Sequence, residues 1–341
     1  MTALLNDLAR IVGETGVLSE TQDLAPFLTD CRGRYKGEAR CLVRPRSVEE
    51  VARVVALCVE QSVSIQPQGG NTSLCGSSVP LAGDRGVILN LSRMRRIREI
   101  DIANNSITVE AGCVLADVQR AAVDAGRFYA VSLGAEGSCQ IGGNIATNAG
   151  GTGVLRYGNT RENVLGLEVV LPNATVWNGL RALRKDNTGF DLKHLFIGSE
   201  GLLGIVTAAT PRLRPLNTRH IAAWLAPVSI DAAVELLALF QSSLGPLLTA
   251  FEIMNAAQLQ ATLKHLSGRQ SPLGPHHPWH IQCRARNRPV SGCRNAAIQV
   301  RGRTIADAYH QARPGPARTV QSGQSDPAMS AALARQQIGK P

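Results

Sequence analysis

The sequence predicts an α+β protein in which two domains are followed by a tail of different composition. Its 341 residues are enough for two domains of ordinary size. Apolar patterns typical of strands and helices alternate as far as about residue 266, and two glycine-rich segments interrupt them. We predict a first domain over residues 1–215, part of a second over 216–282, and a divergent, poorly ordered tail over 283–341.

The first elements predicted are a helix and then a strand-helix-strand unit. Apolar residues over 2–12 repeat at helical spacing, and Gly13 ends the pattern. Ser47 and Glu50 have the spacing of a capping box, which marks the start of a helix. The unit consists of a strand over 41–45, a helix over 47–61 and a strand over 63–67. It leads the chain into Gly69 and Gly70.

Further elements complete the first domain and begin the second. The pattern predicts strands over 87–91, 106–110, 164–171 and 202–207, and a helix over 115–125 that ends at Gly126. Residues 221–266 then alternate between helix and strand patterns, which is typical of a second domain. The boundary is expected near Pro215.

The net charge of +10 raises the question of a nucleic-acid or membrane partner. Of 36 basic residues 11 follow residue 266, whereas 2 of 26 acidic residues do, so the excess belongs to the tail. The tail is rich in Arg, Pro, Gly, Gln and Ser and lacks interleaved aromatic residues, so we predict no nucleic-acid partner. A GC-rich gene read out of frame, or a divergent replacement, would have this composition; this is a hypothesis.

Composition also suggests a cellular location for the protein and a redox state for its cysteines. No run of about 18 apolar residues occurs and the N-terminus lacks a secretory signal pattern, so we expect a cytoplasmic protein without an integral membrane segment. The 8 cysteines are scattered without CxxC spacing, which indicates reduced, structural thiols.

The first glycine-rich segment, residues 67–73, is called the first loop. Gly69 and Gly70 lack Cβ atoms and allow backbone N–H groups to face an anion. Asn71, Thr72 and Ser73 add side-chain donors that suit a pyrophosphate. A tight turn without a ligand is the alternative.

The second glycine-rich segment, residues 134–151, is called the second loop and contains two Gly-Gly pairs. No GxGxxG lies between a strand and a helix, and no GxxxxGK is present, so ordinary NAD and ATP sites are disfavoured. His276, His277, His280 and Cys283 fit no zinc-binding spacing well, and we predict no metal site.

Four ordered segments, residues 30–37, 67–72, 141–151 and 184–207, resemble the FAD-linked oxidoreductases with the vanillyl-alcohol oxidase or p-cresol methylhydroxylase fold. The similarity is greatest to D-2-hydroxyglutarate and D-lactate dehydrogenases. The resemblance implies an α+β fold with a two-subdomain FAD-binding domain of vanillyl-alcohol oxidase type, followed by an incomplete α+β substrate (cap) domain.

The resemblance also implies that both loops wrap the FAD phosphates and approach the flavin. The implied cofactor-binding residues are Pro67, Gln68, Gly69, Gly70, Asn71, Thr72, Ser73, Gly134, Ser138, Gly142, Gly143, Asn144, Thr147, Asn148, Gly204 and Ile205. Some relatives attach FAD to a histidine of the first loop. This chain has Asn71 there, which lacks a nucleophilic ring nitrogen, so we expect non-covalent FAD.

In the family's 2-hydroxy acid enzymes, an arginine and a threonine of this segment hold the substrate carboxylate. They correspond to Arg184 and Thr188, and Lys193 could assist. The planar guanidinium of arginine binds a carboxylate through two hydrogen bonds. A surface ion pair of Arg184 with Asp186 or Asp191 is the alternative role.

The resemblance implies oxidation of a 2-hydroxy acid by hydride transfer to flavin N5, with an electron-transfer protein, cytochrome or quinone as acceptor. The sequence lacks the family's Gly-His-x-Gly-Asp-Gly-Asn-x-x-His motif, which supplies metal-ligating histidines, and its later Glu-His pair, which is implicated in proton abstraction. The catalytic residues are therefore unassigned. The alternative is a catalytically inactive flavin-binding fragment.

Overall fold

The computed structural model describes residues 2–216, 220–265 and 279–286, all within one compact unit. Its helices are α1 (Thr2–Val12), α2 (Thr21–Leu24), α3 (Val48–Glu60), α4 (Leu115–Asp124), α5 (Ile141–Ala146), α6 (Val154–Tyr157), α7 (Lys193–Phe196), α8 (Ile230–Leu244) and α9 (Ala256–His265). Its strands are β1 (Val17–Leu18), β2 (Cys41–Val43), β3 (Ile65–Gln68), β4 (Val87–Asn90), β5 (Ile97–Asp101), β6 (Ser106–Glu110), β7 (Arg127–Tyr129), β8 (Val164–Val170), β9 (Val176–Gly179), β10 (Ile205–Pro211), β11 (Leu213–Pro215), β12 (His220–Leu225), β13 (Leu248–Asn255) and β14 (Trp279–Arg286).

A four-stranded sheet in the order β1-β2-β4-β3 comes first along the chain. β2 and β3 both run parallel to β4, and β1 is antiparallel to β2. The predicted strand-helix-strand unit is present as β2, α3 and β3, but β4 lies between its two strands. This central position explains why all four residues of β4 are buried.

Helices α1 and α3 cover one face of this sheet, where Leu8 and Val51 belong to one buried cluster. The start of α3 has the predicted cap. The Oγ atom of Ser47 accepts a hydrogen bond from the Glu50 N–H at 3.3 Å, and the Glu50 carboxylate accepts one from the Arg46 N–H at 2.7 Å. The cap aligns α3 so that its apolar stripe faces the sheet.

The second sheet has five antiparallel strands in the order β5-β6-β10-β8-β9. Leu115 of α4 and Ile141 of α5 pack into the core on one of its faces. β10 lies in the middle and all seven of its residues are buried. It begins three residues later than the sequence pattern predicted, because Gly201 (φ +87°) and Gly204 (φ +156°) hold the preceding segment in a loop.

The middle of the second sheet contains a buried ion network. Glu110 of β6 and Glu168 of β8 both pair with Ala208 of β10, one from each side. Arg98 of β5 reaches both carboxylates, at 3.6 Å from Glu110 and 3.1 Å from Glu168. The Thr207 hydroxyl donates to Glu168 at 2.9 Å. The two carboxylates are nearly inaccessible, so their charge is compensated inside the protein.

A three-stranded antiparallel sheet in the order β12-β14-β13, with α8 and α9, lies in the segment predicted as a partial second domain. The described residues belong to one compact unit, and the division into two domains stays a prediction. β14 continues to Arg286, four residues past the predicted limit at 282, because both of its edges pair with neighbouring strands. The predicted tail lies outside the described residues from residue 287 onward.

One segment of the described chain, Ile230–Leu247, is apolar and long enough to cross a membrane on length and composition alone. It comprises α8 and the turn after it, and 6% of it is buried. A single segment of this kind is weak evidence, because core helices of soluble proteins meet the same criterion.

The buried ion network gives a stability prediction. Glu110 also pairs with Arg96 at 2.9 Å, so Arg98→Met would leave Glu168 as the buried carboxylate without a guanidinium. The variant should lower the free energy of unfolding by about 3–5 kcal/mol. Arg120→Met is the matched control, because Arg120 pairs with Asp117 at the surface; it should cost less than about 0.5 kcal/mol. Urea unfolding followed by circular dichroism measures both. Equal losses for the two variants would contradict the role of the network.

Candidate functional site

The first loop leaves β3 through a set of buried amide contacts. Gln68 is buried, and its Nε2 donates to the carbonyl oxygens of Phe27 at 2.9 Å and Ser78 at 2.8 Å. The buried Asn90 donates to the carbonyl oxygen of Gly69 at 3.2 Å. These contacts fix the direction in which Gly69 and Gly70 leave the sheet.

Asn71 and Ser73 use their side chains within the protein. Asn71 has a left-handed backbone (φ 51°); its Nδ2 donates to the Thr29 carbonyl oxygen at 2.8 Å, and its Oδ1 accepts from Ser78 at 2.7 Å. The hydroxyl groups of Ser73 and Ser77 are 2.8 Å apart. The side-chain donors expected to face a ligand from Asn71 and Ser73 are therefore committed to holding the loop.

The backbone N–H groups of the first loop, unlike the side chains of Asn71 and Ser73, remain available to a ligand. In the described part of the chain, the N–H groups of residues 69–73 donate to no protein acceptor. Successive free N–H groups in a glycine-containing turn form a concave site for an anion such as a phosphate. The first loop thus offers backbone donors, with its side chains acting as supports.

The two glycine-rich loops meet at Gly70. A Cβ atom on Gly70 would overlap the carbonyl oxygen of Ser138, and one on Gly69 would lie 3.4 Å from the Cβ of Gln140. Only glycine allows this approach at position 70. The structure therefore brings the two predicted loops together at one place.

The second loop contains a helix, α5, that the sequence did not reveal, because its two adjacent glycines have low helix propensity. Ile141 and Ile145 anchor α5 in the core of the second sheet. Gly142 faces β6 closely, since a Cβ atom there would lie 2.7 Å from the Cβ of Ala111. A Cβ atom on Gly143 would have no protein atom within 4 Å. Gly142 is thus required by packing, and Gly143 borders open space.

The other residues predicted in the second loop fall into two groups. Gly134 and Ser138 are exposed, and Gly134 also borders open space. Asn144 is buried, with its Nδ2 3.6 Å from the sulfur of Cys139, and the Thr147 hydroxyl donates to the Gly143 carbonyl oxygen at 2.8 Å. Burial raises the pKa of the Cys139 thiol. Asn144 and Thr147 therefore support α5 itself.

A third loop, residues 198–204, lies between α7 and β10 and contacts the other two. The N–H of Gly198 donates to the Ile145 carbonyl oxygen at 3.1 Å, so this loop is bonded to the end of α5. A Cβ on Gly201 would lie 3.0 Å from Pro67 of the first loop. Gly204 and Ile205, predicted to lie near the flavin, are buried in the packing that begins β10. Their contact with the cofactor stays a prediction.

Arg161 connects the second and third loops and was not found from the sequence, since a single arginine has no local pattern. Its N–H donates to the Asn148 side-chain oxygen at 3.0 Å. Its guanidinium donates to the carbonyl oxygens of His194, at 2.7 Å, and Ile197. Arg161 therefore fixes the predicted residue Asn148 relative to the segment that leads into the third loop.

The His194 ring lies beside this connection. Its Nδ1 is 3.2 Å from Nη1 of Arg161, and its Nε2 is 3.2 Å from the Asp191 carboxylate. Arginine can only donate, so Nδ1 acts as the acceptor and Nε2 carries the proton. Burial lowers the pKa of His194; Lys193 and Arg161 act in the same direction, and Asp191 opposes them.

Of the predicted substrate residues, Arg184 and Thr188 are exposed and Lys193 is partly buried. Arg184 donates to the Asn104 carbonyl oxygen at 3.0 Å, and the Thr188 N–H donates to Asp186 at 3.2 Å. Lys193 pairs with Asp191 at the start of α7, which leads into the third loop. Within the described residues, no hydrogen bond or ion pair joins segment 181–188 to the three loops.

The surface ion pair considered for Arg184 is not formed among the described residues. Asp186 pairs with Arg181 at 3.0 Å, and Asp191 pairs with Lys193 and approaches His194. The guanidinium of Arg184 is therefore free of a carboxylate partner in this part of the chain. The guanidinium could therefore bind the carboxylate of a ligand.

The considered metal cluster lies partly outside the described residues, because His276 and His277 are not among them. His280 and Cys283 are both on β14 and both buried. Residues three apart in a strand point to opposite faces, so these two cannot share one ion. No group of three or more metal-ligating side chains occurs within the described ranges.

Comparison with known proteins agrees with this geometry. A family described as "FAD binding domain" matches residues 39–179, which include the first two loops. This region of the chain is an FAD-binding domain. The described residues also suit this cofactor, because the free backbone N–H groups provide donors and the open space at Gly143 provides room. FAD is thus the cofactor of this chain.

The curated relatives are hydroxy acid enzymes. The chain is 42% identical over 274 residues to the probable mitochondrial D-2-hydroxyglutarate dehydrogenase of Oryza sativa subsp. indica, covering 80% of this chain and 48% of the relative. It is 40% identical over 250 residues to mitochondrial D-2-hydroxyglutarate dehydrogenase of Bos taurus, covering 73% and 46%. It is 36% identical over 264 residues to the D-2-hydroxyglutarate–pyruvate transhydrogenase of Saccharomyces cerevisiae, covering 76% and 52%. The chain spans about half the length of these relatives.

Solved structures confirm the predicted fold. Alkyldihydroxyacetonephosphate synthase matches with a TM-score of 0.72 and 19% identity, covering 84% of this chain and 57% of that one. p-Cresol methylhydroxylase matches with a TM-score of 0.65 and 18% identity, covering 84% and 61%. The chain therefore has the FAD-binding fold of the p-cresol methylhydroxylase type. The expected cytoplasmic location was wrong, because the rice, Arabidopsis and bovine relatives are named mitochondrial.

Substitutions at the two neighbouring glycines of α5 should distinguish an effect on cofactor binding from an effect on folding. Gly143→Val should lower bound FAD at least about tenfold, because the side chain enters open space that the cofactor needs, while the apo protein stays folded. Gly142→Val should destabilise the apo protein by about 1–3 kcal/mol, since its side chain overlaps Ala111. The flavin-to-protein absorbance ratio and thermal unfolding of the apo proteins measure both effects. Unchanged flavin content in Gly143→Val would show that this segment is a turn without a ligand.

Proposed function

We propose that this chain is the cofactor-binding part of a 2-hydroxy acid dehydrogenase and binds FAD non-covalently. Bound FAD supplies the redox chemistry, accepting hydride from the substrate's C2 at flavin N5. The substrate class is D-2-hydroxyglutarate or D-lactate, in line with the names of the relatives. An electron-transfer protein, cytochrome or quinone is the proposed acceptor.

The free backbone N–H groups of residues 69–73 carry this proposal. They lie where the first loop meets the second, at the contact of Gly70 with Ser138. A pyrophosphate placed there receives several hydrogen bonds without any side chain having to rearrange. The third loop, bonded to α5 and packed on Pro67, holds the other side of the site.

Arg184, Thr188 and Lys193 are the proposed substrate residues. The Arg184 guanidinium is exposed, and no carboxylate pairs with it among the residues the structure describes. A substrate carboxylate would supply the missing partner through two parallel hydrogen bonds. Lys193 lies at the entrance to the third loop and would add a second positive charge.

No histidine at the described loops is available as a base for the hydroxyl proton. The imidazole described there is that of His194, and Arg161 already occupies its Nδ1. The histidine motif of the resembling family is absent from the sequence. These observations favour the second candidate function, a flavin-binding chain that is catalytically inactive by itself.

The mode of flavin attachment can be tested directly. Asn71 has no nucleophilic nitrogen, and its amide is held by Thr29 and Ser78, so acid precipitation should release all the FAD into the supernatant. Absorbance of supernatant and pellet, with intact mass of the protein, measures the result. Flavin retained in the pellet with a matching mass increase would show covalent attachment. A folded, colourless preparation that cannot be reconstituted would overturn FAD binding itself.

Turnover by this chain alone should be near background. A positioned general base typically contributes about 10²–10⁴-fold to such a reaction, and no histidine is available for this role at the described loops. D-2-hydroxyglutarate and D-lactate are assayed with an artificial dye acceptor, comparing the FAD-loaded chain with Arg184→Ala and with Arg120→Ala as a surface control. Robust turnover that Arg184→Ala abolishes and Arg120→Ala keeps would reject the inactive candidate and confirm the substrate role of Arg184.

A further inference from the structure

The seven cysteines that the structure describes divide into two classes. Five are buried, and burial raises their thiol pKa, to about 12 for Cys41 and about 11 for Cys58 and Cys113. Cys31 and Cys75 are exposed. Thiol–disulfide exchange requires access to the sulfur, so Cys31 and Cys75 are the described cysteines that a small disulfide in solution can reach.

These two exposed cysteines lie against the same residue of the first loop. The Cys31 thiol donates to the carbonyl oxygen of Ser73 at 3.7 Å. The Cys75 N–H donates to the hydroxyl oxygen of Ser73 at 3.4 Å. The Cys31 thiol therefore contacts the residue that lies two positions before Cys75 in the sequence.

The surrounding contacts hold the two cysteine-bearing segments together. Residues 30–35, called the Asp30 turn, are closed by the Asp30 carboxylate, which accepts from the Tyr35 N–H at 2.8 Å. This hydrogen bond also lowers the pKa of Asp30. The Tyr35 ring packs on Gly76, where a Cβ would lie 2.6 Å from the ring. On the other side, Asn71 donates to Thr29.

We propose that Cys31 and Cys75 form a reversible disulfide that fastens the Asp30 turn to the first loop and controls FAD retention. A disulfide needs Cα atoms within about 7 Å, which two cysteines bordering one residue in exposed turns can reach by a local movement. The oxidant is a low-molecular-weight disulfide such as oxidised glutathione.

The exchange is balanced in two steps. The thiolate of one cysteine attacks the oxidised glutathione, forming a mixed disulfide and releasing one glutathione thiolate. The second cysteine, as its thiolate, attacks the protein sulfur of that mixed disulfide and releases the second glutathione. Two protein thiols are oxidised, one small disulfide is reduced to two thiols, and their protons pass to the solvent and the glutathione thiolates.

The consequence for FAD follows from the position of Ser73 at the end of the first loop. A crosslink beside Ser73 restricts the loop while its backbone N–H groups are free for the cofactor. Restricting a binding loop in its bound conformation reduces the entropy lost on binding. The oxidised protein should therefore release FAD more slowly than the reduced protein. This step depends on FAD binding at the first loop.

The crosslink is tested on the full chain carrying Cys293→Ser, which removes the cysteine outside the described residues and serves as the parent chain. It is treated with oxidised glutathione, and intact mass and alkylatable thiols are measured. The expected result is a loss of about 2 Da and a peptide containing both cysteines, reversed by dithiothreitol. Cys31→Ser and Cys75→Ser, each keeping a hydroxyl donor, should instead gain about 305 Da from a stable mixed disulfide. Mixed disulfides on both cysteines of the parent chain, or a crosslink to a buried cysteine, would overturn the proposal.

The effect on the cofactor is measured on the same samples by stopped-flow release of FAD. The oxidised parent chain should release FAD about three- to tenfold more slowly than the reduced chain, while each serine variant shows one rate in both states. Equal rates for a crosslinked and a reduced parent chain would overturn control of FAD retention. Mass measurements do not require FAD, so failure of cofactor binding would be distinguishable from failure of the disulfide.

Discussion

The site depends on one close contact between backbones, the approach of Gly70 to the carbonyl oxygen of Ser138. No side chain fits between them, and a Cβ atom at Gly70 would force the first and second loops apart. The buried amides of Gln68 and Asn90 aim the first loop at this contact. The Gly142 N–H, bonded to the Ala111 carbonyl oxygen at 2.8 Å, aims the second loop at it. Each loop is thus positioned by a different sheet.

The second sheet supports this contact through its own middle strands. β10 begins directly after the third loop, and β6 ends where α5 docks. The buried network of Arg98, Glu110 and Glu168 spans β5, β6 and β8 around β10. Buried carboxylates need partners, which Arg96 supplies to Glu110 and Arg98 to Glu168. The strands that support the loops are therefore joined by charged groups that lie outside the loops.

Local patterns predicted those parts of the fold that local chemistry decides. The Ser47 and Glu50 cap, the helix ending at Gly126 and the apolar strand after residue 163 all appear where expected, within a few residues. The helix α5 did not appear in the pattern, because Gly142 and Gly143 oppose it and burial of Ile141 and Ile145 decides it. Its existence depends on tertiary packing, which no local window contains.

The same distinction applies to the candidate site. Both loops and their glycines were identified from the sequence, and the structure brings them together. The roles of their side chains were not, because the acceptors of the Asn71 amide N–H group lie more than 40 residues away at Pro26 and Thr29. Arg161 was missed for the same reason, since its acceptors at His194 and Ile197 are more than 30 residues away.

The distribution of charge shows why the glycine pattern indicates the anion site better than the basic residues do. The first loop contains no lysine or arginine, and the excess positive charge of the chain belongs to residues after 266. An anion at the first loop is therefore stabilised by oriented N–H dipoles at short range, with no long-range attraction from net charge. Such dipoles work only if the backbone holds one conformation. The supporting amides of Gln68, Asn71 and Asn90 favour that conformation of the loop.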